Sequence, residues 1–328
     1  MNPKPPSGYS CKLKKPKSTR RDRGLYLTVC IASLCEGRRK IVSVTDRLLM
    51  FGRQSGVDGV IEKSIFLHPN WFALYSADDM TDIMPILDRA TILMCGMQGD
   101  AGKQKFLVEA GDIFTRCFAM RHQQLIESRV MIPSGFKDLD DFDARGKDSL
   151  PADEHRSMRR RMRAAKPECA FLVGGFNPFG LAHLFVQDST GPWQGYDDPG
   201  WWTIGSGATE AFAALLFQAD KMGFGIECTE AECVYHLLSA KFMAESNRLV
   251  GPKTFVSCHE FNQEVRYMPE IYIDRVRKEW ERCGIPRMPK ALLRKIPRML
   301  ETEEQRIKRE HWLYKLERKM FSRRPSDE

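Results

Sequence analysis

Ten cysteines, seven histidines and one Gly-Ser-Gly turn are the chemically capable residues that stand out first. The cysteines fall at 11, 30, 35, 95, 117, 169, 228, 233, 258 and 283, without a Cys-x-x-Cys pair. Zinc sites recruit paired ligands at tight spacing. Here Cys30 and Cys35, like Cys228 and Cys233, are five apart, and Cys258-His259 is isolated. Most of the cysteines have apolar neighbours, which suits small buried hydrophobes. The reading is therefore free thiols in a reducing, cytoplasmic setting, with no metal and no cofactor. His68, His183 and His236 stand singly and read as structural. Gly205-Ser206-Gly207 lacks the Lys that a phosphate loop requires. Ser206 ahead of a helix reads, by itself, as an N-cap.

The chain has 328 residues and a net charge of +8, with 42% hydrophobic content. That size and content exclude a disordered chain. No apolar run reaches the roughly 18–20 residues of a membrane span. Residues 1–24 hold eight basic residues against Asp22, and 269–328 hold 17 basic against 11 acidic. The middle is therefore net acidic. Leu25 to Cys35 imitates the apolar part of a signal peptide, but Glu36 ends it without a small-residue cleavage site. A buried first strand is the simpler reading.

The elements that must position any site follow from periodicity. Residues 1–24 are Pro-, Lys- and Arg-rich and are expected to form a disordered basic arm. Residues 26–34 and 40–46 read as two strands of a hairpin turned at Glu36-Gly37-Arg38-Arg39. Lys63 to Tyr75 reads as two strands broken at His68-Pro69-Asn70, and 79–98 and 103–127 as helices. Residues 129–166, with Pro133, Gly135, an Asp run and then Arg156, Arg159, Arg160, Arg161 and Arg163, read as an insertion or long loop. Strands follow at 169–173, 181–187 and 201–204, then a helix over 207–222. Thr229-Glu230-Ala231-Glu232 is a capping box opening a helix to about Asn247, and 253–258 closes the set. Beyond 260 the chain is a basic helical extension to 328, broken by Pro286, Pro289 and Pro297. Strand pairs alternating with helix pairs predict an α/β (α+β) fold of two antiparallel sheets flanked by helices, a four-layer αββα sandwich.

That order, with its local words, resembles the proteasome β-subunit family of N-terminal-nucleophile hydrolases. Thr28 to Arg47 is similar to the family's first hairpin, whose second strand leads into Asp-x-Arg or a near variant. Lys63-Ser64-Ile65-Phe66-Leu67-His68-Pro69-Asn70-Trp71-Phe72-Ala73-Leu74-Tyr75-Ser76-Ala77 resembles its Lys strand, turn and strand. Gly174-Gly175-Phe176 through Asp188-Ser189-Thr190-Gly191 to Gly205-Ser206-Gly207 is the closest match. The capping-box helix and Gly251 resemble its last helix. The resemblance covers residues 25–260 without the insertion at 129–166.

It implies attack on a peptide or amide carbonyl by a Thr hydroxyl at a free N-terminus, whose amine serves as base. Mapped residue by residue, Thr28 falls at the nucleophile, Asp46 and Lys63 at the tuning pair and Ser206 at a supporting hydroxyl. Ala77 falls at the glycine that lines the oxyanion site, beside Gly205. Residues 1–27 would have to be removed. Leu27 stands where self-cleaving members have Gly, and Asn247 and Val250 stand near the family's Asp and Ser. A second register would put Tyr26 at the nucleophile. Outside the resemblance, Thr28 is an ordinary β-branched strand residue. Three readings follow: a threonine-type hydrolase; an inactive ring or assembly subunit of the same fold, as a homo-oligomer or with other subunits; and a nucleic-acid binder through the basic ends. The last finds no aromatic-interleaved RNA motif in the chain. Ile307, Trp312, Leu313, Leu316 and Met320 make residues 301–320 an amphipathic helix for its own domain or a neighbour.

Overall fold

A computed structural model describes residues 28–51, 55–58, 62–77, 80–96, 106–283 and 290–321. The basic arm expected over 1–24 and the alternative nucleophile Tyr26 lie outside the described residues.

The chain begins its described course with β1 (Val29–Cys35) and β2 (Lys40–Asp46), antiparallel, with Cys30 opposite Thr45. Glu36, Gly37 and Arg38 carry the turn at φ of 51°, 64° and 66°. Arg38 adopts this conformation, uncommon for a side-chain-bearing residue, while its guanidinium donates to Ala182 O and Asp197. A short ribbon, β3 (Leu48–Phe51) with β4 (Ser55–Asp58), follows. Then come β5 (Ser64–His68), β6 (Trp71–Ala77), α1 (Met80–Cys95) and α2 (Phe106–Ile126). Next are α3 (Leu139–Ser149), α4 (Ala152–Ala164), β7 (Cys169–Phe176), β8 (Ala182–Asp188), β9 (Gln194–Gly195) and β10 (Trp201–Gly205). The capping box is present at α6 (Glu230–Ala244), after α5 (Ala208–Met222). The chain continues through β11 (Thr254–Glu260), β12 (Arg266–Tyr267), α7 (Glu270–Cys283), α8 (Lys290–Leu293), β13 (Glu301–Thr302) and α9 (Glu303–Phe321).

The strands form two main antiparallel sheets, ordered β10-β1-β2-β11-β12-β13 and β5-β6-β7-β8-β9. Side chains alternate across each strand, so each sheet feeds two apolar layers. Cys30, Ala32, Leu34 and Ile41 from the first sheet meet Phe72, Leu74, Leu172 and Leu184 from the second. The far face of the first sheet packs against α5, α6 and α7 through residues such as Leu215, Leu237 and Val276. The far face of the second packs against α1 and α2 through Ile86, Ala90, Phe114 and Phe118. The segment after 260 is part of this arrangement: β12 and β13 extend the first sheet, and Ile273, Leu292, Ile296 and Met299 join its helical core. No helix among the described residues is long and apolar enough to cross a membrane.

The insertion expected over 129–166 differs from a long loop. It contains α3 and α4, which share a small core of Leu125, Val130, Phe136, Phe142, Met158 and Met162. Asp138 caps α3 by accepting from Asp141 N at 2.8 Å. The apolar residues are too sparse for periodicity to reveal these helices.

Two buried histidines should give the core a pH dependence. His259 stacks on Phe72 with ring centroids 3.8 Å apart, and burial pushes its pKa down to about 3. His236 meets Gln218 Oε1 at 3.0 Å, and burial pushes it down to about 4. Above the unfolded value of about 6.5 both states are neutral and nothing is lost. As pH falls below that value, the unfolded chain takes protons that the fold refuses. Each histidine should then subtract up to about 1.4 kcal/mol of stability per pH unit, down to its folded pKa. Urea unfolding at pH 7 and pH 5 should show this loss, and His236→Gln should remove its share. An unchanged slope in that variant would exclude the assignment.

Candidate active site

Thr28 immediately precedes β1 and is 2% exposed. Asp46 ends β2 fully buried, and Lys63 enters β5 at 6% exposure. Hairpin pairing brings the first two together, because Cys30 opposite Thr45 sets Thr28 beside the end of β2. Lys63 comes from the second sheet, immediately before β5.

The three side chains form one cluster. Thr28 Oγ1 donates to Asp46 Oδ1. Lys63 Nζ donates to Thr28 Oγ1 at 2.6 Å and to Asp46 Oδ1 at 3.0 Å. Asp46 Oδ1 also accepts from Val29 N at 3.0 Å, while Oδ2 accepts from Leu48 N at 3.3 Å and Gly251 N at 3.4 Å. Backbone donors on three segments therefore aim the carboxylate, and its negative charge is matched by the ammonium of Lys63.

Ser206 lies on the opposite side of Thr28. Its hydroxyl accepts from Thr28 N at 3.1 Å and donates to Thr28 O at 3.2 Å. Ser206 is not the cap of α5, as the isolated reading expected; Gly207 holds that position, without a side-chain cap. Gly205 explains the approach. Its φ is +100°, and a Cβ there would sit 2.3 Å from Thr28 O. Only glycine allows both this conformation and this contact. Gly207 N donates to the same carbonyl at 3.1 Å.

Ala77 ends β6 opposite Cys169. Among the described residues no hydrogen bond joins Ala77 to the cluster. Asn247 does reach the site: its amide donates to Ser206 O at 2.9 Å and to Glu210 at 3.3 Å. Val250 fills the space that a Cβ on Gly207 would need.

Two neighbours were missed from the sequence. Cys30 is two residues beyond Thr28, hence on the same strand face. Its thiol donates to Tyr75 O at 3.4 Å beside Thr28, Lys63 and Asp46, and burial pushes it up to about 12. It is a neutral thiol at physiological pH. The period of two was the available signal. Lys241 on α6, fully buried, donates to Gly251 O at 2.8 Å and Pro252 O at 2.9 Å and pairs with Glu245. Burial lowers its pKa. It braces the turn whose Gly251 N reaches Asp46, and nothing local in the sequence announces that.

Chemically, the cluster holds one hydroxyl between a carboxylate able to accept its proton and an ammonium able to stabilise the oxygen left behind. Among the described residues no group of three His, Cys, Asp or Glu side chains is placed to hold a metal ion. No protein-family model and no curated protein matches the chain.

Proposed function

We propose that the protein is an N-terminal-nucleophile hydrolase of the proteasome β-subunit type, with the αββα layering of that fold, acting on peptide or amide bonds through Thr28. The observation that carries this reading is Thr28 Oγ1 bonded to both Asp46 and Lys63, with Thr28 N on Ser206 Oγ. In the full chain that nitrogen is the peptide nitrogen following Leu27, so it has no basic lone pair. Once residues 1–27 are removed it becomes an amine with a pKa near 8. The amine then takes the hydroxyl proton as Oγ attacks the carbonyl carbon. Lys63 stabilises the oxygen during attack, and Ser206 holds the amine. The tetrahedral adduct collapses as the C–N bond breaks and the proton passes from the N-terminal ammonium to the departing amine; the ester left on Oγ is then hydrolysed by water, with the N-terminal amine again moving the proton. Ala77 N is the candidate oxyanion donor.

The test has two parts. The mature N-terminal residue is read by intact mass on protein purified from its native cells, and a chain beginning at Thr28 is exposed to a peptide boronate. Thr28 as first residue and a boronate adduct on its hydroxyl are expected. A native chain that keeps residue 27 overturns the reading.

A second reading, an inactive assembly subunit, is favoured by Ile307, Trp312 and Tyr314 on α9, each more than half exposed. It predicts an unprocessed chain sedimenting as an oligomer.

A further inference from the structure

Two free cysteines, Cys228 and Cys233, lie near the end of β1 remote from Thr28. Thr229 caps α6 in a full capping box. Cys228 is therefore the residue just before the cap, and Cys233 the fourth residue of the helix. These two positions often pack side chain against side chain at the start of a helix, and Cys228 packs on the apolar cluster that holds Cys233. Cys228 is partly exposed, whereas Cys233 is buried in the apolar core with Cys35 and Cys258. The backbone around Cys228 is fixed: its N–H donates to Gly225 O at 3.1 Å, and its carbonyl accepts from Glu36 N at 2.9 Å.

We propose that Cys228 and Cys233 are a redox modification site: Cys228 is oxidised by a peroxide, and Cys233 closes the product to an intramolecular disulfide. The electrostatics divide these roles. The neighbouring Cys233 thiol holds the Cys228 pKa below the ordinary thiol value. Burial, with Cys228 and Cys35 beside it, keeps Cys233 itself well above that value. Thiolate character and access together select the sulfur that reacts first. The Cys228 thiolate attacks one peroxide oxygen, the O–O bond breaks, and hydroxide leaves with a proton as water. The sulfenic acid formed is then attacked by the Cys233 sulfur. The S–S bond forms, the S–O bond breaks, and a second water leaves. Two thiols are oxidised, one peroxide is reduced, and the chain loses two hydrogens.

Cys228 contacts the residue after β1, and Thr28 precedes β1, so a seven-residue strand of about 20 Å separates the two sites. The test therefore needs no assumption about hydrolysis. The full chain is treated with equimolar hydrogen peroxide at neutral pH, alkylated and cut after glutamate, which separates the two cysteines at Glu230 and Glu232. A Cys228–Cys233 linked peptide, lighter by about 2 Da and released by dithiothreitol, is expected. Cys233→Ser should leave Cys228 as a sulfenic acid trapped by dimedone, and Cys228→Ser should leave Cys233 reduced. Circular dichroism of both variants confirms that they fold. Full alkylation of Cys228 while the exposed Cys95 oxidises, or a bond from Cys228 to any sulfur other than Cys233, overturns the proposal.

Discussion

Replacing Lys63 by methionine in a chain that begins at Thr28 should slow amide hydrolysis by about 10²–10⁴-fold, the range for losing a group that handles charge and protons in the transition state. Thr28→Ala should remove the covalent intermediate altogether. The two effects separate by kind. Lys63 Nζ lies 2.6 Å from Thr28 Oγ1, so the methionine variant keeps the nucleophile and loses only its polarisation. It should still form the boronate adduct, more slowly. Thr28→Ser, which keeps the hydroxyl, should retain the adduct. Steady-state rates and adduct formation by mass spectrometry are the measurements. A Lys63→Met chain at full rate would mean that the ammonium does no chemistry and serves only to neutralise Asp46.

The same pair should dominate stability. The side chains of Asp46 and Lys63 are 0% and 8% exposed. Removing one member of a buried pair leaves an uncompensated charge, at a cost of about 3–5 kcal/mol. The two variants should differ within that range. Lys63→Met leaves the carboxylate with Thr28 Oγ1 and three backbone N–H donors, which blunts the loss to about 3 kcal/mol. Asp46→Ala takes the carboxylate away from Lys63 and leaves those three N–H donors unpaired, so it should reach about 5 kcal/mol, comparable to the whole stability of a small domain. The double replacement should cost less than the sum, because no charge is then stranded. Guanidinium unfolding of the three variants measures this. Single losses below about 1 kcal/mol would place the pair in contact with solvent.

Much of the framework was legible because it is local. The hairpin of β1 and β2, the turn at His68-Pro69-Asn70 and the capping box at Thr229 and Glu232 each depend on residues a few positions apart. Alternation and cap chemistry report such elements directly. α3 and α4 escaped because their core is small: Phe142, Met158 and Met162 are scattered among charged residues, and Pro133 and Gly135 announce a break before them. The two-residue strands β9, β12 and β13 escaped for a related reason, since nothing but a neighbouring strand defines them.

The site divides along the same line. The hairpin alone puts Thr28 near Asp46, because an antiparallel register carries the start of one strand to the end of the next. The sequence therefore determined the long strands, the helices with a clear apolar stripe, the charged ends and which residue types could react. Only the tertiary structure decided that they meet. Lys63 reaches Thr28 because the two sheets are packed face to face. Ser206, 178 residues from Thr28, reaches it because β10 lies beside β1 and Gly205 leaves room for the carbonyl. The role of Lys241 and the contact of Cys228 with Cys233 also arise from packing. Short-range hydrogen bonds and side-chain periodicity write themselves into neighbouring residues. The apolar burial that closes the sheets on one another is non-directional, and which distant side chains it brings within 3 Å depends on the whole fold.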